Sequence, residues 1–223
     1  MSKLILIRHG QASFGSKDYD QLSPLGQQQS VWLGEYLKEI ELKPTRIIRG
    51  DLKRHIQTTQ GIESGLGYKL DQEQCADWNE FDFQEIGRAF LASNPDLKPD
   101  ISDPKSFFSI LRKGLLAWSN NEISGTIEES WLEFEARVIR ALTMSVERTD
   151  NETVLVISSG GTISMVLKQL MNFTPETTID LNLQTRNTGL SEVFFNQHQR
   201  YVASFNNVPH MQSAQRMKSI TST

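Results

Sequence analysis

The 223-residue chain has a single cysteine, Cys75, and no apolar run long enough to span a membrane. One cysteine excludes an intrachain disulfide and favours a reducing compartment. The N-terminal apolar run is too short for a signal peptide, and no cleavage-site pattern follows it. We therefore expect a cytoplasmic protein that has no membrane partner.

The chain also has no excess of basic residues. Its 23 Lys and Arg against 27 Asp and Glu give a net charge of −4, so nucleic acid is not an expected partner. No His/Cys cluster has metal-site spacing, and no Gly-rich loop carries the Lys-Ser/Thr pair of a P-loop. The Ser158–Gly161 segment lacks the leading Gly of a hydrolase nucleophile elbow. We expect no metal and no cofactor.

The first ten residues carry a distinctive pattern. The apolar run 3–7 predicts a strand buried on both faces, and it stops at Arg8-His9-Gly10. In open parallel sheets, ligands bind just outside the carboxyl ends of the strands. Arg8 can clamp an anion beside His9, which titrates near neutrality, and Gly10 lets a ligand approach the backbone. This strand end therefore predicts a phosphate site.

Two more strand ends carry similar chemistry. The run 45–49 predicts a second strand, and Arg54 lies on the helix that follows it. The run 153–157 predicts a third strand, which ends in Ser158-Ser159-Gly160-Gly161 before another helix. Carboxyl ends of parallel strands share one edge, so Arg8 and Arg54 can hold several phosphate oxygens together. The Gly-Gly turn adds N–H donors at a helix N-terminus.

The remaining periodicity predicts the elements that surround these strands. Residues 77–125, rich in aromatics and proline, indicate short helices and loops, either a lid over the site or an ordinary helical layer. The last dozen residues are polar, which favours a frayed end. The other predicted elements are a helix from Pro24 to Ile40 capped by Ser23, a helix from Asp51 to Glu63, a weak strand at Tyr68–Leu70, a helix from Thr162 to Met171, a helix opened by a Thr126-x-x-Glu129 capping box, and a hairpin around 196–200.

The chain resembles the histidine phosphatase superfamily, the phosphoglycerate mutase-like fold. The segments that carry the resemblance occur in the family's order and spacing; they are Leu6–Gly10, Leu22–Gln29, Leu52–Thr58, Trp78–Phe83 and Val154–Gly161. The resemblance implies one α/β domain over 1–223, a three-layer α/β/α sandwich with a mostly parallel sheet and a lid or insertion at 77–125. It also implies a metal-independent phosphatase that acts on a small phosphorylated substrate.

The resemblance implies a role for each matching residue. His9 would be the nucleophile that accepts the phosphoryl group, and Arg8 and Arg54 would bind the phosphate oxygens. Glu80 would protonate the leaving oxygen and then activate water. A neutral imidazole is a competent nucleophile, and burial among aromatics such as Trp78 can raise a carboxyl pKa as a general acid requires.

Two positions depart from the family. Ser159 stands where the family has a second His that helps to hold the phosphoryl group, and Gly15 stands where an Asn is common. We expect Ser159 and Gly160 to contact phosphate still. A neutral hydrogen bond is worth about 1 kcal/mol against roughly 1.5–3 for a charge-assisted one, so the rate would fall about tenfold or somewhat more.

The departure at Ser159 leaves an alternative open, a non-catalytic homologue that binds or senses a phosphorylated ligand. A phosphoglycerate mutase-type phosphotransferase is less favoured, because 81–87 lacks the charged motif of those enzymes.

The other histidines and several acids receive minor roles. His55 lies about a quarter-turn from Arg54 on one helix, so both are not expected to point into the pocket. His198 is predicted at a solvated hairpin tip, and His210 is predicted to be structural. Four acids are interpreted as solubilising loop residues: Asp18, Asp20, Asp100 and Asp103.

Overall fold

A computed structural model describes residues 2–13, 20–100, 103–147, 151–196 and 198–222. Gly15 and Asp18 lie outside the described residues. Within them the strands are β1 Ser2–Arg8, β2 Arg46–Arg49, β3 Gln72–Gln74, β4 Thr153–Ser158, β5 Leu190–Phe195 and β6 Arg200–Asn207. The α-helices are α1 Pro24–Glu39, α2 Lys53–Leu66, α3 Phe83–Ser93, α4 Pro104–Ser119, α5 Trp131–Ser145, α6 Gly160–Met171 and α7 Pro175–Gln184.

The strands form one mostly parallel sheet in the order β3-β2-β4-β1-β5-β6. Strands β1, β2, β3 and β4 pair in parallel, whereas β5 runs antiparallel to β1 and β6. Arg8 at the end of β1 pairs with Ser158, and Arg49 at the end of β2 pairs with Ile157. The carboxyl ends of β1, β2 and β4 are therefore level at one edge.

Helices cover both faces of the sheet. Alternate residues of β1 and β4 point to opposite sides, as the pleat requires. Leu4, Leu6 and Val156 pack with α5 and α6, whereas Ile5 and Leu155 pack with α1 and α2. The predicted three-layer α/β arrangement is confirmed.

Several predicted elements need correction. The capping box is Ser130 with Glu133, so α5 begins at Trp131 and not after Thr126. The weak strand predicted at Tyr68–Leu70 is instead β3, at Gln72–Gln74. Helix α2 continues past Gly65 to Leu66 and ends at Gly67 in the left-handed region.

The region between β3 and α5 contains two regular helices. Asp103 caps α4 by accepting hydrogen bonds from the backbone N–H groups of Lys105 and Ser106, so this acid is structural and not merely solubilising. Helix α4 has 16 residues and packs against α3, α5 and α7. It is longer than the short helices that the sequence predicts.

The end of the chain is docked, which contradicts the predicted fraying. Gln29 on α1 donates hydrogen bonds to the Ser219 carbonyl at 2.8 Å and to Thr221 Oγ1 at 3.0 Å. Thr221 in turn donates to Asn187 Oδ1 at 2.7 Å, and its carbonyl accepts from the Asn187 backbone N–H. Polar side chains of distant elements therefore hold 219–221.

Among the described helices, none has both the length and the apolar character that a membrane crossing requires.

Candidate active site

His9 follows β1 directly and is buried at the sheet edge. Its Nδ1 lies 2.7 Å from the Gly10 carbonyl, which can only accept, so Nδ1 carries the proton and Nε2 keeps its lone pair. Burial, then the charges of Arg54 and Arg8, hold the pKa of His9 well below its usual value. The imidazole is therefore neutral at pH 7 and has its lone pair on Nε2.

Gly10 is required for packing. A Cβ at this position would collide with the Gly26 backbone and with Ser30 Oγ on α1. Its backbone N–H donates to Thr58 Oγ1 at 3.0 Å. The structure thus corrects the interpretation that the missing side chain makes room for a ligand.

The two arginines reach the site from different elements, and both are buried. Arg8 donates to the carbonyl of Thr185 and, at 2.8 Å, to that of Ser222. Arg54 forms an ion pair with Asp20 at 2.6 Å. Asp20 also accepts a hydrogen bond from the Lys53 backbone N–H at 2.8 Å, so it is no merely solubilising loop acid.

Glu80 lies at the N-terminus of α6. Its Oε2 accepts the Gly161 N–H at 2.8 Å, so this donor of the Gly-Gly turn binds the Glu80 carboxylate. Burial raises the pKa of Glu80, although the Gly161 hydrogen bond and Arg54 act in the opposite direction. A raised pKa favours the protonated carboxyl, the form that a general acid requires.

The segment before Glu80 is fixed by β4 and its turn. Ser158 Oγ donates to the Trp78 carbonyl at 2.6 Å, and Thr162 Oγ1 donates to the Asn79 carbonyl at 2.8 Å. The Trp78 ring is fully buried in the core. These contacts hold the Glu80 carboxyl at the same sheet edge as His9.

One solvent-open cavity joins these groups. Four of the predicted site residues lie in its wall: Arg8, His9, Arg54 and Glu80. The other described lining residues are Phe81, Phe83, Phe107, Phe108, Leu111, Leu115, Asn182 and Leu183. No set of three or more His, Cys, Asp or Glu in the described parts of the chain is placed to hold a metal ion.

Ser159 and Gly160 are buried next to the site and are not among the described residues that line the cavity. Ser159 is 1% exposed, and a Cβ at Gly160 would collide with Thr185 Oγ1 and Asn182 Oδ1, both at 2.5 Å. The predicted phosphate contacts of these two residues stay predictions.

His55 is the site residue whose contacts the sequence did not reveal. Its Nε2 lies 2.8 Å from Ser159 Oγ, and its ring centroid lies 5.8 Å from that of His9. Burial, then the charges of Arg54 and Arg49, hold the pKa of His55 well below its usual value. As predicted, His55 is turned away from the cavity that Arg54 lines, but it contacts Ser159.

The surroundings of His55 also determine its tautomer. Nδ1 is buried and has no hydrogen-bond partner among the described residues. A buried N–H without an acceptor is rarer than an unfilled lone pair, so the proton belongs on Nε2. Nε2–H then donates to Ser159 Oγ, which leaves the Ser159 hydrogen available as a donor.

The sequence profile of the histidine phosphatase superfamily (branch 1) matches residues 4–97 and 105–208. The chain therefore belongs to the histidine phosphatase superfamily. No curated protein matches it.

Solved structures share this phosphoglycerate mutase-like fold. Phosphoserine phosphatase from Entamoeba histolytica in complex with 3-phosphoglyceric acid has a TM-score of 0.66 and 22% identity, over 94% of this chain and 99% of that chain. A putative alpha-ribazole-5'-P phosphatase from Escherichia coli has a TM-score of 0.68 and 19% identity, over 93% and 97%. Phosphoglycerate mutase from Bacillus anthracis has a TM-score of 0.65 and 17% identity, over 94% of both chains.

Proposed function

We propose that this protein hydrolyses a phosphate monoester through a phosphohistidine on His9. The observation that carries the proposal is the meeting of His9, Arg8, Arg54 and Glu80 around one cavity, with Nε2 of His9 holding the lone pair. Membership of the superfamily supports it, as do fold relatives described as phosphatases for phosphoserine and alpha-ribazole-5'-P.

The first step transfers the phosphoryl group to the protein. His9 Nε2 attacks phosphorus, the bond from phosphorus to the ester oxygen breaks, and the Glu80 carboxyl gives its proton to the departing alkoxide. Phosphoryl transfer demands in-line positioning and charge stabilisation more than further covalent chemistry. Arg8 and Arg54 supply that charge on the equatorial oxygens.

The second step releases phosphate. Glu80, now a carboxylate, takes a proton from water while the water oxygen attacks phosphorus, and the bond from phosphorus to Nε2 breaks. His9 and the proton on Glu80 are thereby restored. The Gly161 N–H that binds Glu80 holds the carboxyl in place for both steps.

His55 and Ser159 together replace the family's second histidine in this mechanism. His55 donates to Ser159 Oγ, and the Ser159 hydroxyl donates to the phosphoryl group when the substrate is bound. The hydrogen bond of 2.8 Å and the proton position on His55 Nε2 support this role. The serine then contributes as an oriented donor in place of a free hydroxyl.

The proposal is tested with a panel of alkyl phosphates, nitrophenyl phosphate and phosphoserine, assayed by phosphate release. Wild type and His9→Ala are compared, and His198→Ala serves as a matched control because His198 is exposed and distant from the cavity. We expect turnover by wild type and the control and none by His9→Ala. Phosphate binding without turnover in wild type contradicts the proposal and supports the non-catalytic binder.

A further inference from the structure

The cavity has two chemically different walls. The wall next to His9 is charged and includes Arg8, Arg54 and Glu80. The opposite wall is apolar and is formed by helices α3, α4 and α7 and by the residue two positions before α3. Its residues are Phe81, Phe83, Phe107, Phe108, Leu111, Leu115 and Leu183. Apart from His9, Asn182 is the one uncharged polar residue among the described lining residues.

The position of the cations limits which substrates fit. Arg8 and Arg54 are the only cations among the described residues that line the cavity, and both lie at the phosphate end. A carboxylate or second phosphate on the alcohol part would therefore lose its hydration against phenylalanine and leucine without gaining a partner.

We propose that the substrate is a phosphate monoester whose alcohol part is apolar, an alkyl chain or an aromatic ring. This inference rests on the proposed function and adds the substrate class to it. The phosphate binds between the arginines, and the alcohol part lies along α4 against Phe107, Phe108 and Leu111. Burial of the apolar alcohol part there supplies binding affinity. In sites with more cations, a second anionic group on the substrate would supply it through an ion pair.

A ligand series tests the proposal directly by calorimetry on the wild-type protein. Alkylphosphonates from ethyl to octyl keep the charged group constant while the chain grows, and they are not hydrolysed. We expect Kd to fall about two- to fourfold per methylene until the cavity is filled. Benzylphosphonate tests the ring. Phosphonoacetate and 3-phosphonopropionate add a carboxylate, and we expect them to bind more weakly than ethylphosphonate and propylphosphonate, the alkyl ligands of matched length.

Substitutions on α4 test the wall itself. Phe108→Ala is expected to weaken octylphosphonate binding about tenfold and to leave ethylphosphonate nearly unchanged. Phe108→Lys should also improve 3-phosphonopropionate about three- to fivefold, a gain that misfolding cannot produce. Ile110→Ala and Ile110→Lys are the matched controls, because Ile110 lies on the same helix but is not among the lining residues.

The outcomes separate this inference from the proposed function. Chain-length-dependent binding without hydrolysis of any ester supports the inference and contradicts the proposed function. His9-dependent hydrolysis with phosphoserine or 3-phosphoglycerate preferred over octyl phosphate contradicts the inference alone. Binding that does not change along the alkyl series, or an equal effect of the Phe108 and Ile110 variants, also overturns it.

Discussion

The side chain of residue 159 contacts a side chain from a distant element of the fold. A serine stands where the family has a histidine, and the structure places the imidazole of His55 2.8 Å from its hydroxyl. The sequence contained both residues, but 104 positions separate them. Their contact follows from the packing of the α2 N-terminus against the turn after β4, which no local pattern encodes.

An exchange of the two residues tests the pairing. Ser159→His alone should lower kcat/KM at least tenfold and destabilise the fold by about 1–3 kcal/mol, because two imidazoles cannot share the buried space. The double variant His55→Ala with Ser159→His should recover activity to within about tenfold of wild type. Steady-state kinetics and denaturant unfolding measure both effects, with His55→Ala as the reference. Higher activity in Ser159→His with His55 present would show that the pairing is unimportant.

Glu80 should determine how the rate depends on the leaving group. Glu80→Gln is expected to slow alkyl phosphates by about 10²–10⁴ and nitrophenyl phosphate far less, because nitrophenolate leaves without a proton. The acid form of Glu80 exists below its raised pKa, so wild-type activity on alkyl esters should fall as pH rises above it. Initial rates on the two esters across pH measure this, with Glu85→Gln as control. Equal losses on both esters would remove Glu80 from the general-acid role.

At the scale of elements, the helices and strands with a clear apolar pattern could be predicted from the sequence, and those without one could not. Strands β1 and β4 are apolar runs buried on both faces, and their carboxyl ends predicted the site. Helix α7 was not predicted because most of its residues are polar, although Thr174 caps it and Pro175 begins it. Strand β3 reads Gln-Glu-Gln at a sheet edge and carries no apolar signal. Two consecutive capping-box patterns, at 126–129 and 130–133, precede α5, and the buried Trp131 favours the second.

The docked segment 219–222 should support Arg8. Removal of residues 217–223 takes away the Ser222 carbonyl, one of the acceptors that orient the guanidinium. We expect kcat/KM on any ester substrate to fall about three- to tenfold, mostly through KM, because a less ordered arginine binds phosphate more weakly. Gln29→Ala, which loosens the same segment from α1, should change KM in the same direction. An unchanged KM in both proteins would show that the segment has no such role.

On the scale of the whole molecule, three buried histidines link folding to pH. Burial, followed by nearby arginine charges, lowers the pKa of His9, His55 and His210, and that of His210 falls to about 4. The unfolded chain binds these protons below its pKa near 6.5 and the folded chain does not, so stability is lost as pH falls. Glu80, with its raised pKa, acts in the opposite sense at low pH.

We expect the free energy of unfolding to drop by about 1.4 kcal/mol per histidine between about pH 7.5 and pH 5.5, or about 4 kcal/mol for all three before the offset from Glu80. Urea unfolding at the two pH values measures the drop. His210→Gln, whose amide can still meet Thr188, should reduce it by about one third. A drop that is the same in His210→Gln and wild type would contradict the linkage for this residue.

Trapping the phosphoenzyme tests directly whether His9 is the nucleophile. Nitrophenyl phosphate is mixed with wild type, Glu80→Gln and His9→Ala, the reactions are quenched in alkaline denaturant, and phosphorylated peptides are mapped by mass spectrometry. We expect one phosphoryl group on His9, with more accumulated in Glu80→Gln because water activation is slowed, and none in His9→Ala. Turnover without a phosphoenzyme, or a phosphoryl group on another residue, would contradict it.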